Sequence, residues 1–185
     1  MSSRKVPVMI YAISFERCNR KYLVSSLLTC GMRLVNLLFN KRGDINNKYT
    51  HMMLSIEDDL IDVPLDPTLR SQTVFFAQGY HASVLDYINE RYPTAVDVRM
   101  FEFSMDYNVD ISKLYGVIPT DYSDFGQWLY NRFKGQWEAQ INICTLTTVY
   151  LMRTLLGFKA FRYTDTIPEI LSKLEKHKQD GKITR

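Results

Sequence analysis

Cysteine is scarce in this chain. Cys18, Cys30 and Cys144 are the whole set, and no two of them form a CxxC pair. Paired-thiolate zinc sites and disulfide frameworks are therefore both disfavoured, which fits a reducing compartment. A basic stripe is missing too. Net charge is only +3, and Lys and Arg are scattered without interleaved aromatics, so nucleic acid is not an expected partner. No apolar run is long enough to suggest a membrane span. The nearest, Tyr22 to Phe39, is interrupted by Ser25, Ser26, Thr29, Arg33 and Asn36 and reads as the helix of a soluble fold. No small-residue cleavage site follows the start of the chain. No signal peptide is expected, and the cytoplasm is the default location. Repeats, low-complexity tracts and inter-domain linkers are also lacking.

What is present suits one domain. The 185 residues are 46% hydrophobic and 13% aromatic, enough to fill a sizeable core. Val8 to Phe15 is almost continuously apolar and predicts a strand buried on both faces. Asn19 to Phe39 predicts a helix, with Leu23, Leu27, Leu34 and Leu38 as its apolar stripe, joined by Val24, Leu28 and Val35. Lys41 to Lys48 is a polar loop. Tyr49 to Ile56 and Leu60 to Leu65 predict a hairpin around an acidic turn. Ala82 to Tyr92 predicts a helix, and Thr94 to Met105 an alternating strand. After a loop around Gly116 to Tyr122 and a helical stretch from Phe125 to Phe133, a helix is expected from Asn142 or the residues just after it to Gly157. Thr166-Ile167-Pro168-Glu169 is a capping box that opens a last helix, 166–180. The sum is an α+β domain over 1–185. Its N-terminal strand and helix span 8–39, its core 40–160. A central, mostly antiparallel sheet is flanked by helices.

Cys144 stands where that late helix begins. A helix start stabilises a thiolate through its dipole and free N–H groups. A buried cysteine that merely fills space is the competing reading. A thiol nucleophile also needs a base, and the base an orienting group. His177 lies on the highly charged last helix and reads as solvated. His81 reads as a cap or surface group. His51 opens a strongly apolar strand, where its ring can reach a neighbouring helix terminus. Asp62, on the returning strand of the hairpin, is the natural group to fix its tautomer, with Asp59 or Asp66 as substitutes. An early Cys18 nucleophile with His81 is a second pairing. Cys30, in mid-helix, reads as core.

Tyr49-Thr50-His51 with an apolar strand behind it resembles the aromatic-Ser/Thr-His signature of circularly permuted papain-like hydrolases. These are the permuted branch of the NlpC-type cell-wall peptidase superfamily, related to the lecithin-retinol-acyltransferase-like enzymes. The Val96 to Phe101 strand, the Tyr115 to Tyr122 segment and the late Ile143-Cys144 follow in the order of that family, over roughly residues 40–160. Thr145-Leu146 departs from the Ser-Glu that usually follows the family cysteine. Met52 and Met53 replace small residues, and Asp121-Tyr122 is reordered. The resemblance implies a papain-like fold, Cys144 as nucleophile, His51 as general base and acid, and Asp62 as orienter. The Cys144 N–H would be part of an oxyanion hole.

The function this implies is hydrolysis of an amide or ester through an acyl-enzyme, with no cofactor and no metal. The substrate class would be a peptide, peptidoglycan or an acyl compound. The alternative is an inactive papain-like fold that serves as a structural or binding part of a larger complex. A wall-directed enzyme without a secretion signal would need another route out, such as a phage particle or lysis.

Overall fold

The computed structural model describes residues 5–16, 20–56, 59–62, 84–106, 130, 132–134, 144–155 and 157–179. It is an α+β structure built on one four-stranded antiparallel sheet. The strands are β1 (Lys5–Phe15), β2 (Tyr49–Ile56), β3 (Asp59–Asp62) and β4 (Ala95–Asp106). Their order in the sheet is β3-β2-β1-β4. Among the described residues the helices with defined bounds are α1 (Leu23–Phe39), α2 (Val84–Arg91), α3 (Cys144–Leu155) and α4 (Ile167–Gln179), and residues 130 and 132–134, within the expected helical stretch or just past it, are helical too. Single 3-10 turns, Arg20–Tyr22 and Ile45–Lys48, lead into α1 and β2.

β1 pairs on both edges, with β2 and with β4. That explains its apolar run, since a central strand covered on both faces has no solvent side. Val6, Val8, Ile10 and Ala12 face one layer with Met52, Leu54, Phe101 and Phe103, where Val149 and Met152 of α3 and Leu171 and Leu174 of α4 close the core. Tyr11, Ile13 and Phe15 face the other layer with Met53, Leu60, Tyr87, Ile88 and Tyr92.

The sheet is irregular where it matters most. Ile13 pairs with His51 and Ser14 with Tyr49, so Thr50 is the extra residue of a bulge. A second irregularity follows on the other side of β1, where Ser14 pairs with Asp97 and Phe15 with Ala95. A bulge reverses the in–out alternation and re-aims side chains. Tyr49 therefore joins the α3–α4 layer, while His51, two residues on, packs against Phe15 and Tyr92 of the opposite layer.

Three expectations meet corrections here. The leucine stripe of α1 faces outward: Leu23, Leu27, Leu34 and Leu38 are 59–65% exposed. Ser26, Thr29, Met32, Val35 and Asn36 are buried instead. The reason is polar. Asn36 donates to the carbonyls of Asn47 and Tyr49, and Arg33 to that of Phe15, which turns the polar stripe inward. Cys30 follows the leucines and is exposed rather than core. His177 is not simply solvated. Its ring stacks on Phe158 at 5.0 Å and 10°. The Glu169 half of the capping box of α4 forms, with the Thr166 N–H and hydroxyl both donating to the Glu169 carboxylate.

Candidate active site

The site is assembled from β2, β3, α2 and α3. The hairpin register places Met53 opposite Asp62. Residues directly opposite share a face of the sheet, and so do residues two apart on one strand. His51 and Asp62 are thus diagonal neighbours on one face. Their side chains meet: His51 Nε2 lies 2.7 Å from Asp62 Oδ1. Both are closed to solvent, at 0% and 1% exposure.

Asp62 is held from its other side by two tyrosines. The hydroxyls of Tyr92, at 2.6 Å, and Tyr87, at 2.9 Å, donate to Oδ2. Tyr87 comes from α2 and Tyr92 from the residue after it. Tyr92 also lies 3.1 Å from His51 Nε2, and its ring tilts against the imidazole at 5.1 Å. Phe15 packs on both rings, at 6.3 Å from His51 and 5.6 Å from Tyr92. A cleft of about 590 Å³ borders Phe15, with Arg33, Leu37, Asp44, Lys48 and Val96 among its walls.

The electrostatics follow from this packing. Burial on its own would strip His51 of its proton. The Asp62 carboxylate and the Cys144 sulfur outweigh it by charge and hydrogen bonding, and the pKa is pushed up to about 10. For Asp62, burial opposes ionisation, and the His51 charge with the three donors overcomes it, so its carboxyl is held below the usual value. Burial and the neighbouring carboxylate push the Tyr92 hydroxyl well up, so it stays a donor. The pair is therefore an imidazolium facing a carboxylate, one that two neutral phenols complete.

Cys144 is the first residue of α3 and is buried. By charge and hydrogen bonding it adds, after Asp62, to the rise of the His51 pKa. Nδ1 of His51 is buried without a hydrogen-bond partner. Thr50 Oγ1 and Thr145 Oγ1, each next in sequence to a member of the pair, are buried without a partner as well. Thr148 Oγ1 donates to the Cys144 carbonyl at 2.8 Å.

Of the residues singled out from sequence, the structure brings His51, Asp62 and Cys144 together. Asp59 opens β3, three residues from Asp62. Cys18, His81, Asp66 and the Tyr115 to Tyr122 segment lie outside the described residues, as does the expected cap Asn142. Tyr87 and Tyr92 carry half of the polar network, and sequence reasoning missed them. Among the described residues no group of three His, Cys, Asp or Glu is placed to hold a metal ion. Neither a family model nor a curated protein nor a solved structure matches the chain.

Proposed function

We propose that this chain is a cysteine hydrolase of the permuted papain-like kind, cleaving an amide or ester bond by acyl transfer. One observation carries the reading. His51 is bonded through Nε2 to a buried carboxylate, and Cys144 at the head of α3 adds to the rise of its pKa. A core histidine that only fills space has no need of such a pair, and burying one is costly.

The steps are those of covalent catalysis. The Cys144 sulfur attacks the substrate carbonyl, and the proton held on His51 passes to the leaving amine or alcohol as the carbon–heteroatom bond breaks. Water then adds to the thioester and gives a proton back to His51, the carbon–sulfur bond breaks with its electron pair returning to the Cys144 sulfur, and the acid leaves. Asp62 keeps the ring oriented and stabilises its charge through both steps. Tyr87 and Tyr92 fix the carboxylate in turn. The N–H groups at the start of α3 supply positive potential for the developing oxyanion. A peptide, peptidoglycan or acyl substrate fits this chemistry, and the order of the residues along the chain supports the permuted arrangement.

Iodoacetamide labelling tests the role of the thiol. In the wild type at mildly acidic pH, where only a stabilised thiolate reacts, Cys144 should be alkylated faster than Cys30 despite its burial. His51→Ala should slow Cys144 by about a hundredfold and leave Cys30 unchanged. Equal rates at the two cysteines, indifferent to His51, would leave the non-catalytic binding or structural reading in its place.

A further inference from the structure

α1 carries its apolar residues on the wrong side for a core helix. Leu23, Leu27, Leu34, Leu37 and Leu38 are 47–65% exposed. They lie at spacings of three, four and seven, so they form one continuous face of the helix. Phe133 extends it. It is 69% exposed, and its ring meets Phe39 at the end of α1 at 5.2 Å. An apolar face of this extent marks a surface that something covers.

Charge says what. Between Glu16 and Asp44 the sequence has no acidic residue, while Arg17, Arg20, Lys21, Arg33, Lys41 and Arg42 are basic. Arg33 is turned inward onto the Phe15 carbonyl. Lys21, Lys41 and Arg42 are exposed at the two ends of the helix, and Lys134 is exposed beside Phe133. A second copy pairing through this face would meet repulsion in either direction. Antiparallel packing sets Lys21 against Lys41 and Arg42, and parallel packing sets Lys21 against itself. A negatively charged lamella attracts both ends at once. We propose that the outer face of α1 docks on an anionic lipid surface, with the helix lying in the headgroup plane. No helix among the described residues is long and apolar enough to cross a membrane, and an in-plane helix needs no such length. The docking does not depend on the chemistry of Cys144.

Vesicle flotation of the full chain tests it. The protein should float with phosphatidylcholine vesicles that contain phosphatidylglycerol, much less with phosphatidylcholine alone, and less again as salt is raised. Leu27→Gln with Leu34→Gln should lower the partition by at least about tenfold at an unchanged circular dichroism spectrum. Lys41→Glu with Arg42→Glu should weaken it as well and spare the apolar face. No flotation with the anionic vesicles would overturn the proposal. So would a lipid-free dimer that the leucine variant, but not the charge variant, dissociates.

Discussion

The two faces of the sheet are filled by different kinds of chemistry. On the α3–α4 side Val8, Leu54, Phe103, Val149 and Leu171 pack as an ordinary apolar core. On the α2 side the same strands bury an ion pair, His51 with Asp62, closed over by two tyrosine hydroxyls. Packing alone explains the first face, because apolar burial stabilises without reference to any ligand. It does not explain the second. A buried ion pair contributes little net stability over an apolar replacement of the same size. The apolar face is accounted for by packing, and the buried pair on the other face is not.

Matched truncations should separate the two. Asp62→Asn removes one partner of the buried pair and should cost about 3–5 kcal/mol in urea unfolding. Phe103→Ala on the apolar face should cost about the same through its cavity. Only the first should slow alkylation of Cys144 in the folded protein. A Phe103→Ala variant that stays folded yet loses thiol reactivity would erase the distinction between the faces.

The pair also gives stability a pH signature. His51 is raised from its ordinary 6.5, so its contribution is complete below pH 6.5 and is lost as pH climbs to about 10. Asp62 is held below its ordinary 3.8, so its contribution is complete above that pH and is lost as pH falls through the lowered value. Thermal melting should therefore be highest between about pH 4 and 6.5 and should decline toward pH 10. In Asp62→Asn the alkaline decline should flatten. An unchanged slope in that variant would detach it from the pair.

Smaller changes extend the comparison. Tyr92→Phe deletes a hydrogen bond to a buried carboxylate and should cost about 1.5–3 kcal/mol, with slower thiol alkylation. Thr166→Ala removes the hydroxyl that bonds Glu169 and Asn40 at the start of α4 and should cost about 1 kcal/mol, with no change at the thiol. Equal reactivity losses in both would mean that global loosening, not the network, controls Cys144.

Much of this frame was legible beforehand. The unbroken apolarity of Val8 to Phe15 named the central strand, because only a strand covered on both faces reads that way. Asp62 was legible as the first of three candidates beside Asp59 and Asp66, and the strand register selects it as His51's neighbour. Tyr87 and Tyr92 were not. They reach Asp62 across more than 20 residues of chain, and a tyrosine on a helix face looks the same whether it packs or bonds. The bulge at Thr50 has no glycine or proline to betray it. The α1 helix shows a further limit. Periodicity found the leucine stripe, but which side of the helix turns inward belonged to Asn36 and Arg33, whose bonds depend on carbonyls placed by other elements.

Acylation is the most direct test of the proposed chemistry. Wild-type protein mixed with p-nitrophenyl acetate should release a burst of nitrophenolate stoichiometric with protein and carry the acetyl group on Cys144 by peptide mapping. The burst should vanish in Cys144→Ala and slow by about a hundredfold in His51→Ala. A wild-type protein with no burst, or with acetyl spread over Cys30 and the surface lysines and none on Cys144, would contradict the assignment of Cys144 as nucleophile.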